Sequence, residues 1–219
     1  FSALGAFAPP PAGFPLAAAA ALWELDEDAA ATVLDCLVER ALVEERGDEY
    51  RLHGLVAQYA GRLLEDAGET EAARGRHADV YGSVAARLEG EDWAFAEAAM
   101  PQFRHGFAHA IAQAKRELAD GYLAGLWRIL INRGLWDQHI EWREEALKLA
   151  RAAGDDRSTA EHLHLLAWTI EDRGELDRAL TLYEEALLLR ERIDDRKGRS
   201  ATLHNMAYIF RVRGDLDRA

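Results

Sequence analysis

Apolar residues recur at helical spacing along most of this 219-residue chain. In its second half Leu163, Leu166, Ala167 and Ile170 stand at i, i+3, i+4 and i+7. Leu176, Ala179, Leu180, Tyr183, Ala186 and Leu187 do the same, which predicts two amphipathic helices. Gly174 between them can take the positive φ that ends a helix tightly. The pattern then repeats. Arg173-Gly174-Glu175-Leu176-Asp177-Arg178-Ala179 and Arg213-Gly214-Asp215-Leu216-Asp217-Arg218-Ala219 agree at six of seven positions, 40 residues apart. Arg133-Gly134-Leu135-Trp136-Asp137 lies 40 residues earlier. Asp155, Asp156, Asp194 and Asp195 are N-cap candidates at the joints. A lone hairpin of this kind cannot bury its apolar face, so the units are expected to stack into a solenoid.

The first 66 residues follow a different pattern. A short helix leads into the loop Pro9-Pro10-Pro11-Ala12-Gly13, and Pro15 to Trp23 reads as a helix with Pro in its first turn. Asp26 can cap a second helix reaching about Arg40, with Ala30, Val33, Leu34, Leu37 and Val38 inward. Leu42–Glu45 and Glu49–Leu52 flank Arg46-Gly47-Asp48 as a hairpin. A helix from Gly54 to Asp66 follows, with Leu55, Val56, Tyr59, Ala60 and Leu63 on one side. Helices ahead of a two-stranded hairpin suggest a winged helix. Residues 67–118 read as a helical adaptor broken at Met100-Pro101. The expected architecture is therefore mainly all-α: a winged-helix domain (1–66), an adaptor (67–118) and a repeat array (119–219) whose last repeat is truncated.

Composition agrees with this helical reading, since 42 Ala and 30 Leu make up a third of the chain. The net charge of −13 disfavours a nucleic-acid coat or an anionic membrane surface. Within 1–66 four basic residues face twelve acidic ones, a net of −8. Asp35 and Glu39 lie on the would-be recognition helix, and Glu44, Glu45, Asp48 and Glu49 on the wing. Lys and Arg contacts to phosphate supply most non-specific DNA affinity, so this surface should repel a duplex. The single Cys36 excludes a disulfide framework and suits a reducing compartment, so a cytoplasmic location is expected. The longest apolar run, Leu16 to Trp23, is too short to span a bilayer and lacks the basic flank of a signal peptide. A chain that opens at Phe1 and stops inside a repeat suggests a fragment of a longer protein.

The repeat resembles the tetratricopeptide repeat through Leu163, Leu166-Ala167, Ile170, Ala179 and Tyr183, and then Leu203, Met206-Ala207, Phe210 and Ala219. Its period is 40 rather than 34, Ala stands for the Gly of the first helix, and the final Pro is absent. Long-period arrays of kinesin-light-chain-like and bacterial regulatory proteins are more similar. The run Leu34-Asp35-Cys36-Leu37-Val38-Glu39-Arg40-Ala41-Leu42-Val43, then Tyr50-Arg51-Leu52-His53-Gly54-Leu55-Val56 and Tyr59-Ala60, resembles the winged-helix module of STAND-class signalling ATPases. These are the NB-ARC or AP-ATPase regulators, AfsR- and MalT-like proteins among them. Arg76-His77-Ala78-Asp79-Val80-Tyr81 is similar to the usual opening of their adaptor.

That resemblance implies a role for His53. It falls at the His of the family's Met-His-Asp motif, here Leu52-His53-Gly54, where it would contact the β-phosphate of ADP bound by the parent's nucleotide domain. Gly54 replaces the bracing Asp. No Walker A loop precedes Lys115, Lys148 or Lys197, so the fragment itself is not expected to be an enzyme. ADP or ATP with Mg would belong to the parent. Transferring the groove positions of tetratricopeptide arrays implies partner contacts by Arg128 and Asn132, by His164, Trp168 and Glu171, and by His204, Tyr208 and Arg211. The expected partners are the parent's nucleotide-binding domain and a protein, peptide or small inducer on the repeats. Neither nucleic acid nor a membrane is expected.

Two bland readings complete the set. His105 and His109 stand at i, i+4 without a third ligand, which suits partly buried helix histidines better than a metal site. Cys36 is expected to act as a small hydrophobe. The function these features point to is the regulatory and sensor portion of a STAND-type ATPase. The rivals are a tetratricopeptide scaffold or a transcriptional activator whose DNA-binding domain lies elsewhere in the parent.

Overall fold

The computed structural model describes residues 1–89 and 92–215. The fold is mainly α, with ten α-helices and one small three-stranded sheet among the described residues. Its contacts divide it into Phe1–Leu126 and Trp127–Ala219. No helix of the described residues is long and apolar enough to cross a membrane. Residues 216–219 of the last repeat copy, Leu216 and Ala219 among them, lie outside the described residues.

In the first unit a 3-10 turn, Ser2–Ala6, precedes β1 (Phe14–Pro15), α1 (Leu16–Trp23) and α2 (Glu27–Glu39). Asp26 caps α2 by accepting from the Ala29 N–H at 2.8 Å. Strands β2 (Val43–Arg46) and β3 (Glu49–Leu52) form the expected hairpin, with Arg46 opposite Glu49 and Gly47 at φ +62° in the turn. The sequence reading lacked β1, which adds to the other edge of β3 through Phe14 opposite Tyr50. Pro15, read as helical, belongs to that strand and caps α1. An edge strand tolerates Pro because the missing N–H would face away from the ladder.

Helix α3 (Gly54–Asp66) has the expected bounds and a different inward face. Ala60 and Leu64 are buried, whereas Leu55 and Tyr59 are 72% and 57% exposed. The reason is close backbone approach: a Cβ on Gly5 would stand 2.5 Å from the Gly61 N and 2.7 Å from its Cα. Only the small-residue side of α3 admits the 3-10 turn. On α2, Ala30, Leu34 and Leu37 are buried, with Val33 and Val38 only half-buried. Cys36 is exposed rather than packed inside, with the Arg40 guanidinium against its sulfur.

Helices α4 (Thr70–Ala85) and α5 (Trp93–Ala112) complete this unit with the first part of α6 (Arg116–Asn132). The expected break at Pro101 does not occur; α5 runs through it. Pro101 itself is exposed, and Met100, Gln102 and Phe103 beside it are buried, so packing offsets the lost backbone bond. Gln102 braces the unit. Its Oε1 accepts from the Ala8 N–H at 2.9 Å and lies 2.8 Å from His77 Nε2, while its Nε2 donates to the Gly13 carbonyl at 2.9 Å. Tyr122 of α6 donates to the Ala78 carbonyl at 2.7 Å beneath Gly106, where a Cβ would collide with its hydroxyl.

The remaining helices are α7 (Trp136–Ala152), α8 (Asp156–Asp172), α9 (Leu176–Arg192) and α10 (Arg196–Arg213). From α6 onward a helix begins every twenty residues, at 116, 136, 156, 176 and 196. The joints repeat with the same period. Ala114, Gly134, Gly154, Gly174, Asp194 and Gly214 all have positive φ. In each case the next residue's N–H reaches back five positions, at 2.7–3.1 Å, to a carbonyl of the helix just ended. Asp155 and Asp195 cap the following helices through Ser158 and Gly198. In the second unit α8 packs between α7 and α9, and α10 packs on α9 and α8. Leu163, Ala167, Ile170, Ala179, Tyr183 and Ala186 are fully buried at their centre.

Candidate functional site

The residues expected on the array's binding face lie on α6, α8 and α10. Arg128, Asn132, His204, Tyr208 and Arg211 are exposed; His164, Trp168 and Glu171 are half-buried. Trp168 packs edge-to-face on Trp127, ring centroids 6.0 Å apart. Trp127 is 39% exposed, Tyr208 is 45% exposed, and the Arg211 guanidinium lies 5.3 Å from the Tyr208 ring centre. His164 turns inward: its Nδ1 is 3.3 Å from Thr202 Oγ1 and its ring lies 5.4 Å from that of Tyr183. Burial, with the nearby Arg190 charge, lowers its pKa to about 4, so it is neutral at pH 7.

Glu171 is fixed from below. Tyr183 donates its O–H to Glu171 Oε2 at 2.8 Å and accepts from Asn205 Nδ2 at 3.0 Å. Half-burial raises the Glu171 pKa against the lowering effect of that hydrogen bond, and neighbouring Asp172 raises it further. Sequence reasoning placed Glu171 on this face, but Tyr183 entered only as a core residue and Asn205 not at all.

Beneath the face lie polar groups that the sequence reading missed. His139, Arg143, His162, Thr169, Arg190 and Thr202 are all buried. Arg190 sends Nη1 to the Gly198 carbonyl and Thr202 Oγ1, both at 2.6 Å, and Nη2 to Glu161 at 2.9 Å. A Cβ on Gly198 would stand 2.7 Å from Arg190 Nε, so that glycine makes room for the guanidinium. A repeat comparison gives no cue for this, because Ala150 and Ser158 occupy the corresponding slots one period earlier.

In the first unit His53 is exposed at the N-cap of α3, without a side-chain cap bond. Gly54 beside it has open space where a side chain would go. The first N–H groups of a helix attract anions, and no acidic residue stands in the first turn of α3. The β2–β3 hairpin is acidic and exposed at Glu44, Glu45 and Asp48.

His105 and His109 do not converge on a third ligand, and no group of three or more metal-binding side chains occurs among the described residues. The His105 ring instead meets that of buried His77 at 5.2 Å. A cleft of about 310 Å³ beside His109 is lined by Glu71, Arg76, Asp79, Gln113 and Lys115. Its charged groups already answer one another: Gln113 donates to Glu71 at 2.7 Å, and Lys115 lies 3.7 Å from Asp79. No family model matches the chain, and no curated protein matches its sequence.

Proposed function

We propose that this chain is the regulatory and sensor portion of a STAND-type signal-transduction ATPase. Its first unit would restrain the parent's ADP-bound nucleotide domain through His53, and its helical array would bind an inducer or partner protein. The observation that carries this reading is the exposed His53 at the unblocked N-terminus of α3, behind an acidic hairpin, in a chain that continues into a periodic helical array. An imidazole N–H and the helix dipole together suit a phosphate oxygen. The exposed carboxylates of the wing argue against a duplex as the partner.

The array would act by preferring the open state. Shifting a switch from 1:99 to 99:1 takes about 5.5 kcal/mol of differential binding, which an extended helical face can supply and one side chain cannot. The test is His53→Ala in the full-length protein, with bound nucleotide and basal signalling measured together. Faster ADP loss and higher basal signalling are expected. Wild-type nucleotide retention would remove His53 from the switch and favour a scaffold.

A further inference from the structure

Glu171 is half-buried, unlike Glu141, Asp172 and Glu184, the exposed acids of its unit that also have no Lys or Arg partner among the described residues. Asp137, Glu144, Asp156, Glu161, Asp177 and Glu185 each have an Arg nitrogen within about 3 Å. Among the described residues no Lys or Arg pairs with Glu171; its hydrogen bond comes from the neutral Tyr183 hydroxyl. It also sits in the last turn of α8, a helix with no basic residue there, where the helix dipole disfavours a carboxylate. A half-buried carboxylate whose basic neighbour is a histidine, His204, and not a Lys or Arg, loses hydration and gains little in return. Such a group, held in one orientation beside an aromatic surface, suits a charge supplied from outside.

We infer that the face of α8 and α10 receives an Arg or Lys side chain of a partner protein, with Glu171 as its counter-charge and Trp168 and Tyr208 flanking its stem. This rests on the proposal that the array binds a partner, and it names that partner's chemistry. One further feature agrees. Arg211 already lies over the Tyr208 ring, so that ring's face accepts a guanidinium in this setting. Tyr183 of α9 and Asn205 of α10 act as positioning residues, holding Glu171 through one chain of hydrogen bonds.

The test uses three labelled peptides of one sequence, differing only in Arg, Gln or Glu at a central position, titrated into the 219-residue chain while tryptophan emission and anisotropy are followed. The Arg peptide should bind at least about tenfold tighter than the Gln peptide, which is roughly 1.4 kcal/mol. E171Q, whose amide oxygen can still accept from Tyr183, should abolish that difference. E184Q removes the same charge from an exposed site on α9 and should leave the preference intact. Equal loss in E171Q and E184Q would reduce the effect to net charge and overturn the inference. Preference for the Glu peptide, lost in W168A, would overturn the cationic partner yet keep the face as a binding surface. No binding of any peptide would overturn both.

Discussion

Arg143 donates from Nε to His139 Nε2 at 3.3 Å, and this contact fixes the histidine's tautomer. A guanidinium has no acceptor, so Nε2 must carry the lone pair and Nδ1 the proton. That proton goes to Thr169 Oγ1 at 2.9 Å, and Thr169 passes its own to the Leu165 carbonyl at 3.1 Å. Arg143 also reaches His162 Nδ1 at 3.3 Å. The chain of donors crosses from α7 to α8 and works only with a neutral His139. Burial, reinforced by the Arg143 charge, lowers the His139 pKa to about 3.

The first prediction follows from linkage. The unfolded chain takes up a proton at this site near pH 6.5 and the folded chain only near 3, so folding stability is complete above pH 6.5 and falls as pH drops through that window. His139 alone should cost about 2 kcal/mol between pH 7.5 and 5. Urea denaturation across that range should show it, and His139→Gln should make the pH dependence shallower by about one proton. An unchanged slope would mean His139 is not the buried neutral base.

Ala114 and Asp194 adopt the left-handed backbone that Gly134, Gly154, Gly174 and Gly214 adopt elsewhere in the series. A non-glycine residue there costs about 1–2 kcal/mol, partly returned by its lower freedom in the unfolded chain. Ala114→Gly and Asp194→Gly should each stabilise the protein by about 1 kcal/mol. Gly174→Ala should destabilise it by a similar amount, although a Cβ there meets nothing. Thermal midpoints of the three variants decide the matter.

Ion pairs in the array divide by burial. Arg173–Asp137 and Arg213–Asp177 are the same contact one period apart, but their Asp side chains are 92% and 95% exposed. Arg173→Ala should change stability by less than about 1 kcal/mol, and salt should mask most of that. Arg190 is 2% exposed, and Arg190→Ala strips partners from Glu161, Thr202 and the Gly198 carbonyl. A loss of about 3–5 kcal/mol is expected by denaturant titration.

Gly54 stands in the first turn of α3 with open space around it. Gly54→Asp adds a negative charge at the helix N-terminus and a residue with less backbone freedom, and should raise the midpoint by about 0.5–1 kcal/mol equivalent. If His53 serves a phosphate, the same change alters nucleotide retention in the full-length protein. The two readouts separate helix stability from function.

The array's helices were legible in the sequence because the period and the joints agree: apolar slots recur, and Gly stands at four of the positions where the backbone must turn left-handed, three of them after Arg. Ala114 and Asp194 make the same turn without that signal, as do Glu24 and Ala41. Strand β1 is two residues long and ends in Pro, too short to show alternation. Helix α3 offers two plausible inward stripes, and the larger side chains mark the wrong one because close approach to Gly5 selects small residues. Of the candidate site, the row on α8 and α10 could be placed only by the resemblance to tetratricopeptide arrays, whose groove positions it follows. Its foundation could not, because Tyr183, Asn205 and Arg190 act across helices that only the folded chain brings together.

The same backbone turn every twenty residues, with an aspartate cap every forty, makes the second unit modular. Splicing a further copy of 156–195 between Asp195 and Arg196 would present each new seam with the backbone turn and aspartate cap it already expects. A lengthened chain should gain helical ellipticity in proportion to the forty added residues. Descent by tandem duplication then requires little invention, since each cassette carries its own means of attachment.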